Sequence, residues 1–374
     1  MGVLIAQPYC DVRTFSVLDG LASNTISGCV QDSDGLLWFS TWNGISLYDG
    51  YQFHTFRNEP GEKEMLTTNR ISLMKNATHG NLWLVTPDRR VYLFDTKTCH
   101  FVNVGEMIKQ QFGHDVKVRN VYPLDNGYTW VVSNDDNSNY RIDDRLITKG
   151  EGISCYSRKQ HNLKDNTLRK IVLDDEGGEW VFSNSDVWLL GTEVRVKQYY
   201  EHFVPLKRWI VFATPKGKVK IYDKQRQRFD DYQLPRSVSR INKLVVRDHH
   251  KVLLATNDGV VEIDVAKRRH NHYSVQTIAQ HSPEATSLFV DSRQRAWVFT
   301  SEDGVVLLDL KSGETHWMNA EADSPLTQTL SEQPFVHEDR HHTVWVVPQG
   351  GTFAYFDEER QQLCPYVIKA KNLL

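Results

Sequence analysis

Short apolar runs separated by polar turns repeat along the whole chain. Residues 21–49 and 66–95 share one order: a leucine, a Ser/Thr–Asn step, a β-rich segment, a polar turn, a Trp-led strand, a second turn, and a strand that ends in Asp. Apolar positions alternate within these runs, and steps such as DSDG and NG favour tight hairpins. Each unit therefore predicts about four short antiparallel strands, which in the first unit are ISGCVQ, LLWFS, GISLYD and QFHTF.

Helical periodicity is weak throughout the chain. No apolar pattern with a 3.6-residue period extends over more than about ten residues. The segment from Glu106 to Gln111 supports at most one helical turn, and the run from Asn134 to Asn139 (NDDNSN) predicts a polar loop inside the third unit.

Three kinds of residue mark the repeats. A Trp follows the polar turn in six units, and an apolar residue takes its place in two: Trp38, Trp83, Trp130, Trp180, Trp297 and Trp345, with Val211 and Leu253. An Asp or Asn stands five to seven residues earlier in most units: Asp32, Asn76, Asp125, Asp174, Asp248, Asp291 and Asp339. A further Asp ends the third strand: Asp49, Asp95, Asp143, Asp223, Asp264, Asp309 and Asp357.

Eight such units predict an all-β fold, a β-propeller of four-stranded antiparallel blades in a seven- or eight-bladed ring. Leucine-rich and ankyrin arrays have shorter periods and contain helices, and a β-sandwich does not repeat its sequence. WD40 repeats would carry GH and WD dipeptides, which are missing at the expected places. Residues 15–374 are thus predicted to form one propeller domain, and residues 1–14 a signal remnant or N-terminal extension.

The composition narrows the possible partners. The 374 residues include 44 Lys and Arg against 47 Asp and Glu, a formal charge of −3. This balance argues against a dedicated nucleic-acid surface, so no direct nucleic-acid contact is expected. The sequence contains no stretch of about 18 apolar residues, so we expect no membrane span. The five cysteines lack any metal-binding spacing, and inert thiols are expected.

The recurring residues indicate structure rather than chemistry. One Trp per unit at a fixed strand position suits packing between neighbouring sheets. The turn from Asp32 to Gly35 offers too few oxygens for calcium, and Asp and Gly favour turns in any case. The pairs His249–His250 and His341–His342 fall in hairpin turns and would chelate poorly. No catalytic motif is present, so we expect no catalytic residue, no metal and no cofactor.

The first unit resembles a known family. Residues 15–57 are similar to the first repeat of the periplasmic sensor region of hybrid two-component systems from gut bacteria. Those repeats have a Gly-Leu-Ser/Pro-Ser-Asn opening, an Asp-x-x-Gly-x-x-Trp turn and a Gly-Thr-x-x-Gly-Leu segment that ends in Tyr-Asp-Gly. The matching positions are Gly20, Leu21, Ala22, Ser23, Asn24, Asp32, Gly35, Trp38, Thr41, Gly44, Tyr48, Asp49 and Gly50.

The resemblance implies a larger protein. In the family, two seven-bladed propellers precede a β-sandwich, a transmembrane helix, a histidine kinase, a receiver and a DNA-binding domain. This chain would then be the first periplasmic part of an inner-membrane protein, with a second propeller and a dimer partner.

Eight units leave three alternatives: an eight-bladed ring, an eighth unit that begins a second propeller, or a miscounted fifth unit. The family closes its ring with an N-terminal strand, expected here at Phe15–Val17.

The family also implies a function. Its ligands are typically oligosaccharides, whose binding triggers expression of polysaccharide-use genes, so we expect an extracytoplasmic sensing domain without enzymatic activity. Two alternatives are a protein-interaction scaffold and a propeller glycan lyase or hydrolase. A sialidase is disfavoured because its Asp-boxes read Ser-x-Asp-x-Gly-x-Thr-Trp, a different turn.

Propeller ligands usually lie on the face formed by the loops between strands two and three and between successive blades. Sugar sites combine an aromatic platform with planar hydrogen-bonding groups. Arg89–Arg90 replaces the usual Gly, so a charged or sulfated glycan is one possible ligand. The candidate ligand-binding residues are Trp42, Asn43, Asn69, Arg70, Asp88, Arg89, Arg90, Arg119, Asn134, Arg169, Asn184, Arg240 and Asn257.

Overall fold

The protein is described by a computed structural model that covers residues 13–58, 61, 66–134, 138–157, 167–275, 284–300, 304–319, 334–347 and 353–366. The described residues form eight four-stranded antiparallel sheets, numbered 1 to 8 in chain order, and consecutive strands are neighbours in each sheet. The predicted all-β class, the four-stranded propeller blades and the count of eight units are therefore confirmed.

The chain divides into two compact units at residue 200, and each contributes four sheets. A single propeller domain over residues 15–374 stays a prediction. Residues 1–12 of the predicted N-terminal extension lie outside the described residues. Among the described residues, no helix combines the length and apolar character that crossing a membrane requires.

The first unit, residues 13–199, contains sheets 1 to 4. The strands of sheets 1 and 2 are β1 (Ile26–Gln31), β2 (Leu37–Thr41), β3 (Gly44–Tyr48), β4 (Phe53–Phe56), β5 (Leu73–Asn76), β6 (Leu82–Val85), β7 (Val91–Asp95) and β8 (His100–Val102). Those of sheets 3 and 4 are β9 (Val118–Pro123), β10 (Tyr128–Ser133), β11 (Ser138–Asp143), β12 (Ile153–Ser157), β13 (Leu168–Leu173), β14 (Glu179–Ser183), β15 (Val187–Leu189) and β16 (Arg195–Val196).

The second unit, from residue 200 onward, contains sheets 5 to 8. The strands of sheets 5 and 6 are β17 (His202–Pro205), β18 (Trp209–Ala213), β19 (Val219–Asp223), β20 (Arg228–Tyr232), β21 (Ile241–Val246), β22 (Lys251–Thr256), β23 (Gly259–Asp264) and β24 (Arg269–Tyr273). Those of sheets 7 and 8 are β25 (Ala285–Val290), β26 (Arg295–Thr300), β27 (Gly304–Asp309), β28 (Thr315–Asn319), β29 (Phe335–Glu338), β30 (Val344–Val347), β31 (Ala354–Asp357) and β32 (Gln362–Pro365).

The recurring aspartates close the hairpin turns, as predicted. In the first turn of sheet 1, Oδ1 of Asp32 accepts hydrogen bonds from the backbone N–H groups of Asp34 (3.0 Å) and Leu36 (2.9 Å). Gly35 completes this turn at φ 84°, in the left-handed region that glycine tolerates best. In the turn that follows the third strand, backbone hydrogen bonds from Gln52 and Tyr51, with a further bond from His54, lower the pKa of Asp49 to about 2.

The core lies between the faces of neighbouring sheets within each unit. Apolar clusters join sheet 1 to 2, sheet 2 to 3 and sheet 3 to 4 in the first unit, and sheet 5 to 6, sheet 6 to 7 and sheet 7 to 8 in the second. The repeated Trp belongs to this core: Trp38, Trp83, Trp130, Trp180 and Trp297 are at most 2% exposed, and Trp345 is half-buried. Its structural interpretation is supported.

Two local predictions were wrong. A helix, α1, spans Val104–Phe112, longer than the single turn predicted over 106–111. The Asn103 side chain caps its first turn, and Gly113 ends it in the left-handed conformation. In sheet 3, β11 begins at Ser138, so Ser138 and Asn139 lie in a strand and not in the polar loop that was predicted over residues 134–139.

The predicted closing strand at Phe15–Val17 is also wrong. Val17–Asp19 form a 3₁₀ turn that the Ser16 side chain caps. The ring of Phe15 packs against the rings of Tyr48 and Phe53 at centroid distances of 5.0 and 5.4 Å. This segment therefore packs on sheet 1, because its aromatic ring finds partners there.

Candidate functional site

In the first unit, most of the candidate residues lie at one end of the sheets. Each meander turns from its second to its third strand at this end, and the chain enters the first strand of the next sheet there. We call this region of sheets 1 to 4 the loop end. Adjacent sheets are bonded here: the N–H of Gly44 donates to the carbonyl of Asn69 (2.7 Å), and the N–H of Val118 donates to that of Arg89 (2.9 Å).

Two candidates from neighbouring sheets form a stacked pair. The guanidinium carbon of Arg70 lies 3.6 Å from the centroid of the Trp42 ring, within the range of a cation–π contact. Trp42 is 50% exposed, and Arg70 is exposed. The backbone N–H of Trp42 donates to the backbone carbonyl of Thr25 (3.2 Å), which fixes the base of the loop. The pair offers an indole face and a planar cation side by side.

The two neighbouring amides hold the loops in place. Nδ2 of Asn43 donates to the carbonyl of Ala22 (3.3 Å), and Oδ1 of Asn69 accepts from the N–H of Asn58 (2.6 Å). Asn43 and Asn69 therefore support the stacked pair, since part of each side chain is already engaged by the backbone.

The loop between β6 and β7 carries both charge signs. Partial burial of Asp88 acts to raise its pKa, but hydrogen bonds from Thr86 and Thr67 outweigh this effect and the pKa is lowered. The Arg90 guanidinium lies 3.8 Å from carboxylate oxygens of both Asp88 and Asp115. The Arg89 side chain is exposed, and its backbone adopts the left-handed conformation with φ 64°.

The candidates of sheets 3 and 4 lie next to irregularities of the first strands. Arg119 and Arg169 occupy the unpaired positions of β-bulges in β9 and β13, and both are exposed. Nε of Arg169 donates to Oδ1 of Asn184 (2.5 Å). The Asn134 N–H donates to the carbonyl of Lys117 (2.7 Å), which extends the ladder between β9 and β10.

The last two candidates belong to the second unit and serve its fold. Oδ1 of Asn257 accepts from the N–H groups of Ser239 and Arg240, at 2.8 Å each. The Arg240 guanidinium forms an ion pair with Glu284 (2.6 Å). These two residues are therefore not grouped with the loop end.

Two clefts open at the opposite end of sheets 1 to 3, where sequence analysis did not predict a site. One, of about 400 Å³, includes Asp32, Trp38 and Lys97, and the other includes Asn76 and Asp125. The Asp32 carboxylate is already committed, because Oδ2 accepts from the Trp38 indole N–H (2.7 Å) and Oδ1 holds the turn. We therefore favour the loop end as the binding site.

One cluster in the second unit contains the residue types of a hydrolase. Ser292 Oγ lies 3.0 Å from Nδ1 of His342 and 2.5 Å from Oε1 of Glu338, and Oε1 lies 3.1 Å from the same Nδ1. A nucleophile–base relay needs the serine and the carboxylate on different imidazole nitrogens. This geometry suits a turn contact between sheets 7 and 8. Within the described residues, no group of three or more His, Cys, Asp or Glu side chains is placed to hold a metal ion.

Residues 20–43 match the family model described as two component regulator propeller. A curated relative, histidine kinase P4 of Formosa agariphila, is 31% identical over 55 residues, which is 15% of this chain and 4% of that protein. The matched repeat covers the Gly20–Asn24 opening and the turn from Asp32 to Trp38, so the family resemblance is confirmed. These matches support a signalling sensor region.

Solved structures with a similar fold include extracellular domains of two hybrid two component systems from B. thetaiotaomicron. Each is 14% identical: one has a TM-score of 0.43 over 96% of this chain and 55% of that chain, and the other 0.40 over 91% and 52%. Virginiamycin B lyase from Staphylococcus aureus is 12% identical, with a TM-score of 0.38 over 87% and 92%. The chain thus spans about half the length of the sensor domains.

Proposed function

We propose that this chain is the ligand-sensing region of a two-component signal transduction protein, and that it binds an oligosaccharide at the loop end without transforming it. The observation that carries the proposal is the stacked pair of Trp42 and Arg70 in the first unit, whose opening repeat matches the two component regulator propeller model. The proposed location is the periplasm, as part of an inner-membrane protein.

The chemistry of the loop end suits a sugar. The apolar C–H face of a pyranose packs against an aromatic ring, and half of the Trp42 surface remains open to solvent. Sugar hydroxyl groups need hydrogen-bond partners that are held in place, and Arg70 is such a donor because the indole orients its guanidinium. Asn43 and Asn69 keep the two loops in register.

Binding without transformation follows from the chemistry of the candidate residues. The arginines of the loop end are permanent cations that cannot act as general bases. The ionised Asp88 carboxylate carries no proton for general-acid catalysis, and both of its oxygens already accept hydrogen bonds from Thr86 and Thr67, which makes it a weak general base. We propose that signalling passes to a second propeller and a dimer partner of the complete sensor.

The experiment is calorimetric titration of the chain with a panel of plant and host oligosaccharides. Trp42→Ala should weaken binding by about 1–3 kcal/mol, because it removes the stacking platform, while the melting temperature stays near wild type. Tyr51→Ala is the matched control, since Tyr51 is 94% exposed in the β3–β4 turn, away from the loop end, and it should leave affinity unchanged.

Each alternative has a distinct outcome. Chromatographic detection of shortened or unsaturated products after incubation with a binding oligosaccharide would identify a lyase or hydrolase. Titrations that stay silent for every sugar, with a folded chain, would reject glycan sensing by this region and favour a protein-interaction scaffold.

A further inference from the structure

We infer that the loop end selects an acidic oligosaccharide, one that carries carboxylate or sulfate groups. This inference rests on the proposed function and adds the chemical class of the ligand. Its basis is a set of exposed arginines that no acidic side chain neutralises within the described part of the chain: Arg57, Arg70, Arg89, Arg119 and Arg169.

Most other arginines of the protein have an acidic partner. Arg141, for example, pairs with Glu179, Arg208 with Asp223 and Arg295 with Asp291. Arg240 lies at the equivalent end of a sheet in the second unit, immediately before β21, and it pairs with Glu284. The five guanidinium groups of the loop end therefore lack the acidic partner that most other arginines of the described chain have.

The carboxylates of the loop end are already engaged by other cations. Asp115 lies 3.8 Å from Arg90 and 3.5 Å from the ammonium group of Lys109. Asp88 faces Arg90, and the ammonium group of Lys117 donates to the Asp88 carbonyl oxygen (3.1 Å). The other charged groups therefore do not compensate the five arginines.

Each of the five arginines lies at or next to a contact between strands or sheets of the first unit. Arg57 follows β4 and packs against Gly44, where an added Cβ would lie 2.8 Å from the Cβ of Arg57. Arg70 stacks on Trp42, beside that glycine. The Arg89 carbonyl accepts from Val118, the residue before Arg119, and the Arg169 carbonyl accepts from the Tyr122 hydroxyl (2.6 Å).

Guanidinium groups are suited to this ligand class. They bind planar carboxylates and sulfates through two parallel hydrogen bonds, and they remain charged at every physiological pH. Several like charges on one surface repel one another and raise the local positive potential, which a bound anion relieves. An acidic sugar could stack a ring on Trp42 and place its charged group against Arg70.

The test is titration of the full chain with matched pairs of oligosaccharides. Oligogalacturonate and its methyl ester share a backbone and differ in charge, and a sulfated galactan hexasaccharide and its desulfated form do the same. We expect binding of at least one charged member, and affinity about tenfold or more lower for its neutral form. The two pairs separate a carboxylate-specific site from a sulfate-specific one.

Substitutions of single arginines show whether the loop end recognises the negative charge of the sugar. Arg70→Gln and Arg119→Gln should each weaken binding of the charged sugar by about tenfold, with unchanged melting temperatures. Arg269→Gln is the matched control, because Arg269 is exposed at the start of β24 in the second unit, and it should bind like wild type.

Three results would overturn the inference. Equal affinity for the charged and neutral forms would retain oligosaccharide sensing and reject acidic selectivity. Equal losses for Arg70→Gln and Arg269→Gln, or equally tight binding of a single-stranded oligonucleotide, would indicate unspecific attraction of polyanions. Silence with every charged and neutral sugar would reject the proposed function itself.

Discussion

At the residue scale, the indole of the repeated Trp is tied to the hairpin turn before it. In four sheets the indole N–H donates to Oδ2 of the Asp six positions earlier: Trp38 to Asp32, Trp180 to Asp174, Trp297 to Asp291 and Trp345 to Asp339. Sequence analysis predicted the turn and the packing, but it missed this bond. The constant separation of six residues was the signal that could have revealed it.

In sheet 3 the separation is different, and the acceptor comes from the next sheet. Asp125 precedes Trp130 by only five residues, and the Trp130 indole donates to Oε2 of Glu179 in sheet 4 (2.8 Å). Glu179 is distant in sequence, so no local pattern could identify it. Long-range pairing of this kind requires the register of neighbouring sheets, which only the structure provides.

The buried position of Trp38 and its hydrogen bond to Asp32 should both contribute to the free energy of unfolding. Trp38→Ala should lower the free energy of unfolding by about 3–5 kcal/mol, because it opens a cavity between sheets 1 and 2. Trp38→Phe keeps the ring and loses the hydrogen bond to Asp32, and should cost about 1–3 kcal/mol. Urea unfolding followed by circular dichroism measures both values.

The half-exposed Trp42 supplies the control for this series. Trp42→Ala should stay within about 0.5 kcal/mol of wild type, since it removes little buried surface. A similar loss of stability for Trp38→Ala and Trp42→Ala would contradict the division into core and surface tryptophans.

At the element scale, the regular strands were easier to predict than the exceptions. The four runs of the first unit became β1 to β4 because alternating apolar residues and strong turn signals agree there. Helix α1 was underestimated because it covers only nine residues, although its cap residues Asn103 and Gly113 were visible in the sequence. The bulges that hold Arg119 and Arg169 leave no clear sequence signal.

Sheets 3 and 4 are joined by a buried ion pair whose contribution depends on pH. Burial acts to raise the pKa of Glu179, but hydrogen bonds from Arg141, Trp130 and Asn126 outweigh it, and the pKa is lowered. The stabilisation is therefore complete above the unfolded-state pKa, about 4.3, and is lost as the pH falls through the folded-state pKa.

Glu179→Gln should accordingly cost about 3–5 kcal/mol at pH 7, because the largely buried Arg141 loses its partner charge. The difference from wild type should shrink as the pH falls below about 4.3. Glu106→Gln removes an exposed carboxylate 4.0 Å from Lys109 and should cost less than about 1 kcal/mol. A pH-independent penalty for Glu179→Gln, measured by urea unfolding, would refute the charge-based explanation.

At the scale of the whole molecule, the sequence predicted the fold class and the end of the sheets that we favour, but not the contacts between its residues. Trp42 and Arg70 were predicted as candidates from two different sequence repeats, and the structure stacks them. Arg240 and Asn257 were nominated by the same reasoning, yet their groups are engaged within the second unit. Sequence position identifies a loop, whereas the availability of a side chain depends on partners that lie far along the chain.

Hydrogen–deuterium exchange of the chain, with and without an oligosaccharide that binds in calorimetry, shows at which end of the sheets the ligand binds. We expect slower exchange in residues 41–44, 67–71, 86–90 and 117–119, which belong to the loop end. Slower exchange confined to residues 32–36, 76–80 and 95–99, which line the opposite clefts, would contradict this expectation, as would unchanged exchange throughout the first unit.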